Sequence, residues 1–242
     1  MSPPLPAPHT KHLPHLLHSL PHSSASLSLS QLSSSSSGSA TSTNTTGTTL
    51  WLSSQLVSVY LASLSISTES GIIELGAGIG YLSLYLSHLG YNVLSTDIEP
   101  VVSTVLRPNV DRNSTLHKGA IRIEELNWND ALPDYISKDQ FSTIITTDTI
   151  YHPSLTVPLL ETLIALSSLT SLEKRPPLII VGLENRDPQL INHAMGKAKE
   201  MGFDFKKISA GRLQKCLDKT GWGWKGHDWE GGEIWKGRWR GT

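Results

Sequence analysis

The run Gly71-Ile72-Ile73-Glu74-Leu75-Gly76-Ala77-Gly78-Ile79-Gly80 constrains the fold of this chain more than any other feature. It reads as a short apolar strand, a turn with three glycines in five residues, and then a helix from Gly80 to His88 closed by Gly90. A glycine-rich bend between a strand and a helix is the opening of a βαβ unit. The rest of the chain repeats the alternation. Strands are expected at 92–97, 120–126, 141–148, 177–183, 203–208 and 233–239, with helical patterns at 50–64, 100–113, 154–169 and 188–202. That order predicts an α/β fold, a mostly parallel seven-stranded sheet covered on both faces. No helical pattern separates the final two strands, so the last one is expected to run antiparallel.

Composition divides the chain. Residues 1–50 hold one Lys or Arg, Lys11, and no acid, and thirteen serines fall between Ser19 and Thr46. Such a segment predicts a disordered Ser/Pro/His-rich tail over 1–46, ahead of a domain over 47–242. Histidines 9, 12, 15, 18 and 22 recur every three or four residues, but prolines 8, 14 and 21 interrupt any helix that would align them, and no metal site is assigned there. Residues 51–196 carry 8 basic and 15 acidic side chains, and 197–242 carry 11 and 6. This balance argues against a dedicated nucleic-acid binder and is compatible with a basic polypeptide partner. One cysteine, Cys216, excludes an internal disulfide. With no long apolar run, no membrane association is expected, and a cytoplasmic or nuclear monomer is the default expectation.

A ligand in an open α/β sheet sits beyond the carboxyl ends of the strands, where this turn lies. A nicotinamide dinucleotide would require G-x-G-x-x-G. Here the third glycine, Gly80, arrives one position early and Tyr81 fills the expected slot. Glu74 stands before the turn, placed to hold a ligand's ammonium group, and Asp97 ends the second strand, placed to accept hydrogen bonds from ribose hydroxyls. S-adenosylmethionine, with an amino-acid end and no phosphate, fits this pattern better than a dinucleotide.

With those residues established, the chain resembles the seven-β-strand, Rossmann-like S-adenosylmethionine-dependent methyltransferases of family 16, the methyltransferase-like 21 group of protein-lysine methyltransferases. Gly47 and Trp51 resemble the group's Gly-x-x-x-Trp segment, and residues 74–80 its cofactor loop. Leu106, Asn109, Val110 and Asn113 match its Leu-x-x-Asn-Val-x-x-Asn helix. Leu126-Asn127-Trp128 looks like its Leu-x-Trp element, and Asp148-Thr149-Ile150-Tyr151 like its Asp-x-x-Tyr motif. The resemblance implies S-adenosyl-L-methionine as cofactor, contacted by Trp51, Glu74, Gly76, Ala77, Gly78, Gly80, Asp97, Trp128 and Thr147. It implies a protein lysine as acceptor, on a translation-associated protein or a chaperone, with Asp148 and Tyr151 as catalytic residues and no metal. Two departures stand out. Leu52 follows Trp51 where the group carries an acid, and the Ser-rich segment occupies the place of the group's N-terminal β-hairpin.

Asp148 is expected to orient the incoming amine and Tyr151 to wall its channel. Two other readings remain open: a methyltransferase for histidine, a small molecule or RNA, and a non-catalytic module of the same fold. Five of the seven tryptophans, Trp222, Trp224, Trp229, Trp235 and Trp239, crowd the C-terminal end. Trp235 and Trp239 are read as core residues of the last strand, while the first three are left between packing and a substrate loop.

Overall fold

The structure is a computed structural model that describes residues 3–32, 46–64, 71–137, 139–169 and 175–241. Strands β3 (Gly71–Leu75), β4 (Val93–Asp97), β5 (Ile121–Glu125), β6 (Phe141–Thr147) and β7 (Leu178–Glu184) lie parallel. Strand β9 (Gly232–Gly237) runs antiparallel to β7 and pairs with the short β8 (Lys206–Lys207). The spatial order is β5-β4-β3-β6-β7-β9-β8. Ile73, Ile144 and Ile179 stand in register and bury against Leu159, Leu163 and Leu166 of α5 (Pro153–Ser168) and Ile191 and Ala198 of α6 (Pro188–Glu200). Their neighbours Ile72, Ile145 and Ile180 face the other way, into the layer of α1 (Leu52–Leu61) and α2 (Tyr81–His88). Strand side chains alternate with a period of two, so Glu74 shares the α2 face with Ile72. That geometry decides its role.

The expectation of disorder over 1–46 is corrected for residues 3–32, while 33–45 lie outside the described residues. Strands β1 (His15–Ser19) and β2 (Ser26–Ser30) form an antiparallel hairpin. Leu16, Leu20, Leu27 and Leu29 bury into the layer that holds α1 and α2. Four amide side chains hold the segment down. Gln55 of α1 accepts from the Ala7 N–H at 2.8 Å and donates to the Leu5 carbonyl at 3.0 Å. Gln31 donates to the carbonyls of Thr10 and Leu13, both at 2.6 Å, and accepts from the Leu50 N–H. Asn109 and Asn113, on α3 (Arg107–Arg112) and at its C-cap, pair with the backbone of β2. A chain poor in apolar residues is ordered because its few leucines alternate onto one face and its backbone polar groups find fixed partners.

A second correction concerns the region before β9. Helix α7 (Ala210–Asp218) precedes it, burying Leu213, Cys216 and Leu217. Trp222, Trp224 and Trp229 are buried beside that helix. The indole of Trp224 donates to the Pro4 carbonyl at 2.8 Å and that of Trp229 to Gln214 at 3.1 Å. They are packing residues that join the two ends of the chain. Trp235 of β9 and Trp239, two residues beyond that strand, are half-buried and pack on one side, against the α5–α6 layer, where two faces of the last strand were expected. Among the described residues no helix is long and apolar enough to cross a membrane.

Candidate active site

A cavity of about 530 Å³ opens beyond the carboxyl ends of β3, β4, β6 and β7. Its lining includes Gly47, Trp51, Gly76, Ala77, Gly78, Asp97, Trp128, Thr147, Asp148 and Tyr151. Nine of the eleven residues singled out from the sequence therefore meet in one place. Gly80 and Glu74 do not line it.

The glycines act through backbone shape. Gly76, Gly78 and Gly80 have φ of 67°, 56° and 81°, the left-handed region. A Cβ on Gly76 would sit 2.7 Å from Thr149 Cγ2, and one on Gly78 would lie 2.9 Å from the Gly47 carbonyl oxygen. Gly80 caps α2 and packs on Leu106, where a Cβ would fall 2.7 Å from Leu106 Cδ1. Its place is the turn itself, on the far side from the ligand space.

Asp97 Oδ2 accepts from the Gly78 N–H at 2.7 Å and Oδ1 from the Ile98 N–H at 2.8 Å. Burial pushes its carboxyl up to about 6, against those two backbone bonds, which favour the anion. Each oxygen can accept a second hydrogen bond.

Glu74, expected to hold a ligand's ammonium group, does not line the cavity. Its carboxyl is buried on the α2 face, in contact with Ser83 Oγ, and Ser83 Oγ also bonds Ser95 Oγ at 2.8 Å. One hydroxyl hydrogen cannot serve both contacts. Ser83 therefore donates to Glu74 while accepting from Ser95, or donates to Ser95 while accepting from a protonated Glu74. Burial pushes the Glu74 carboxyl up to about 8, consistent with that proton being held at neutral pH.

Asp148 has φ of 54°, a conformation Asp tolerates better than most residues. Its Oδ2 accepts from the Ser53 hydroxyl at 2.6 Å and the Ser53 N–H at 3.3 Å, and its Oδ1 accepts from the Glu184 N–H at 2.9 Å. A carboxylate thus sits at the N-terminus of α1, where the helix dipole favours it, bonded to Ser53 two residues after Trp51, the N-cap residue of α1. Burial raises the Asp148 carboxyl above its ordinary range. Asp148 does not cap α5; His152 does, accepting from the Ser154 N–H. Tyr151 is 52% exposed at the rim of the cavity.

Sequence reading missed Ser53 and the wall formed by Glu184, Arg186, Asp187 and Leu190. Arg186 pairs with Glu184 and lies 4.7 Å from the centroid of the Trp51 ring. Glu184 ends β7 as Asp97 ends β4, and strand-end position was the signal that would have found it. Lys11 Nζ lies 3.7 Å from the centroid of the same Trp51 ring.

The lysine methyltransferase family matches residues 37–198. Mus musculus protein-lysine methyltransferase METTL21E is 31% identical over 145 residues, covering 59% of this chain and 56% of the relative. Xenopus tropicalis protein N-lysine methyltransferase METTL21A is 33% identical over 123 residues, covering 49% and 54%. The chain matches about half the length of these relatives. Among solved structures, the glycopeptide N-methyltransferase MtfA in complexes with sinefungin and with S-adenosyl-L-methionine shares the fold, at a TM-score of 0.53 and 10% identity for both. The match covers 78% and 77% of this chain and 87% of MtfA.

Proposed function

The chain belongs to the lysine methyltransferase family, and from that premise we propose that its cavity binds S-adenosyl-L-methionine and transfers the methyl group to the ε-amine of a lysine in a protein. A translation-associated protein or a chaperone is the substrate class inferred from the group it resembles. One observation carries the reading: an acid at the end of β4 and a glycine cradle at the end of β3 face the same cavity.

The residues suit the cofactor. The volume lies within the roughly 300–1,000 Å³ of small-molecule sites. Any side chain at Gly76 or Gly78 would collide with the surrounding turn, leaving the main chain bare toward the ligand. Asp97 has acceptor capacity for ribose hydroxyls, and the partly buried Trp128 supplies an aromatic surface for adenine. Thr147 and the main chain of Ala77 complete the contacts, while Gly80 holds the turn that presents them. When bound, the cofactor supplies an electrophilic methyl on a sulfonium.

The protein's task is then placement. Asp148 Oδ1 retains room for one more donor beside the Glu184 N–H, and an incoming amine can take it. An anion there favours the ammonium, so Asp148 orients the amine and water removes the proton. Tyr151 and Trp51 flank the approach at the rim. A free lysine titrates near ~10.4, which makes desolvation in this channel useful for exposing its neutral form.

Calorimetry with S-adenosyl-L-methionine, followed by incubation of the chain with isotopically labelled cofactor and cell extract and mass spectrometry of labelled proteins, tests the proposal. Binding at one site and label on lysine side chains are the expected results. Absence of binding, or label confined to RNA or small molecules, overturns it.

A further inference from the structure

Of the features that the proposed reaction leaves unused, Lys11 combines the most independent observations. It is the only Lys or Arg in the first 50 residues. Its amine lies 3.7 Å from the centroid of Trp51, a wall of the cavity, and the charges of Arg186, Glu184 and Asp148, all cavity residues, act upon it. The turn that carries it is fastened on both sides. Gln31 binds the carbonyls of Thr10 and Leu13, the Thr10 hydroxyl donates to the Ala7 carbonyl, and the Ala7 N–H donates to Gln55 of α1. The chain therefore holds one of its own lysines against a wall residue of the cavity, on a turn whose backbone is already fixed.

We propose that Lys11 is a methyl acceptor for the chain's own active site, modified within the same molecule, an inference that rests on the reading of the cavity as a methyltransferase site. The lone pair of the neutral Lys11 Nζ forms a bond to the methyl carbon of S-adenosylmethionine. The carbon–sulfur bond breaks with its electron pair kept by sulfur, leaving S-adenosylhomocysteine, and the surplus proton on nitrogen passes to water. Burial and the nearby Arg186 guanidinium hold the Lys11 amine below the usual lysine range, which enlarges the neutral fraction. A methylated ammonium keeps its charge and its favourable position over an indole ring.

The full chain, incubated alone with methyl-deuterated cofactor, is followed by intact mass and peptide mapping while cofactor affinity is measured separately by calorimetry. Label at Lys11, at a first-order rate unchanged over a tenfold range of protein concentration, is the expected result. The Lys11→Arg variant, which keeps a cation over Trp51, should carry no label at this position and bind cofactor within about twofold of the parent chain. If cofactor binds and extract proteins are labelled while Lys11 is not, the proposal fails and the function stands. A rate that scales with protein concentration also overturns it, because transfer would then occur between molecules. If cofactor does not bind at all, both fall together.

Discussion

The side-chain amide of Asn113 pairs in both directions with the backbone of Ser28. Its Oδ1 accepts from the Ser28 N–H and its Nδ2 donates to the Ser28 carbonyl, both at 2.9 Å. Asn109 does the same two residues along, with the N–H and carbonyl of Ser30 at 2.7 and 2.9 Å. Two amides spaced four apart on a helix thus copy the hydrogen-bonding edge of a neighbouring strand, and the two-residue repeat of β2 matches one helical turn. The Asn-Val-x-x-Asn spacing is a docking device for the hairpin.

Asn113→Ala should therefore destabilise the chain by about 1 kcal/mol, since it removes both bonds to the part-buried backbone groups of Ser28. Chemical denaturation measures the loss, and hydrogen exchange locates it. The Ser28 amide should lose protection while amides of β3 and β6 change little. Uniform loss across the sheet would mean that the hairpin is not a separable unit.

Glu74 makes stability depend on pH with an unusual sign. Its folded-state value is about 8 against an ordinary 4.5, so the folded chain holds a proton that the unfolded chain releases between those values. The contribution is complete below pH 4.5 and is lost as pH rises through 8. Glu74→Gln mimics the protonated acid. It should match the parent chain near pH 4.5 and exceed it near pH 8 by on the order of 2–4 kcal/mol. Denaturation at a series of pH values reads the difference, and cofactor affinity should not move, because Glu74 faces α2.

Asp97 predicts the pH dependence of cofactor binding. If ribose hydroxyls donate to its anion, affinity requires the ionised form, and the free site titrates near 6. The dissociation constant should be level above pH 7 and rise about tenfold per pH unit well below 6. Asp97→Asn should weaken binding by about 1–3 kcal/mol at neutral pH and remove that slope. Calorimetry from pH 5 to 8 decides it; a parallel slope in the variant would assign the titration to another group.

Much of this was legible in the sequence where chemistry and local geometry coincide. Gly76, Gly78 and Asp97 could be placed at the cavity from spacing because a strand that ends in left-handed turns leaves the next helix and strand little freedom of placement. The hairpin was hidden by composition. Ser26-Leu27-Ser28-Leu29-Ser30 alternates as a half-buried strand should, yet its serines and the absence of charge outweighed five residues of pattern. Helix α7 was lost among lysines and glycines, although Leu213, Cys216 and Leu217 keep an i, i+3, i+4 spacing. The face that Glu74 occupies was not legible, because conversion of a strand position into a face requires knowing which neighbours each face meets. Asp148 was seen as a reactive group, while its bond to Ser53, 95 residues earlier in the chain, depends on tertiary folding alone.

The turn offers a test in which strain and steric conflict separate. Gly76→Ala faces two penalties: a left-handed φ of 67°, worth about 1–2 kcal/mol for a residue with a Cβ, and a 2.7 Å approach to Thr149 Cγ2. Thr149→Ser removes that methyl while keeping the hydroxyl that bonds Thr146 at 2.6 Å. The single Gly76→Ala variant should lose about 2–4 kcal/mol of stability, as expected for strain plus overpacking. In the double variant with Thr149→Ser, the steric part should return and the conformational part persist, leaving a deficit of about 1–2 kcal/mol relative to Thr149→Ser alone. Cofactor affinity should remain reduced in both, since the added methyl shifts the cradle itself. Strict additivity of the two substitutions in a denaturation cycle would show that Thr149 does not set the limit on residue 76.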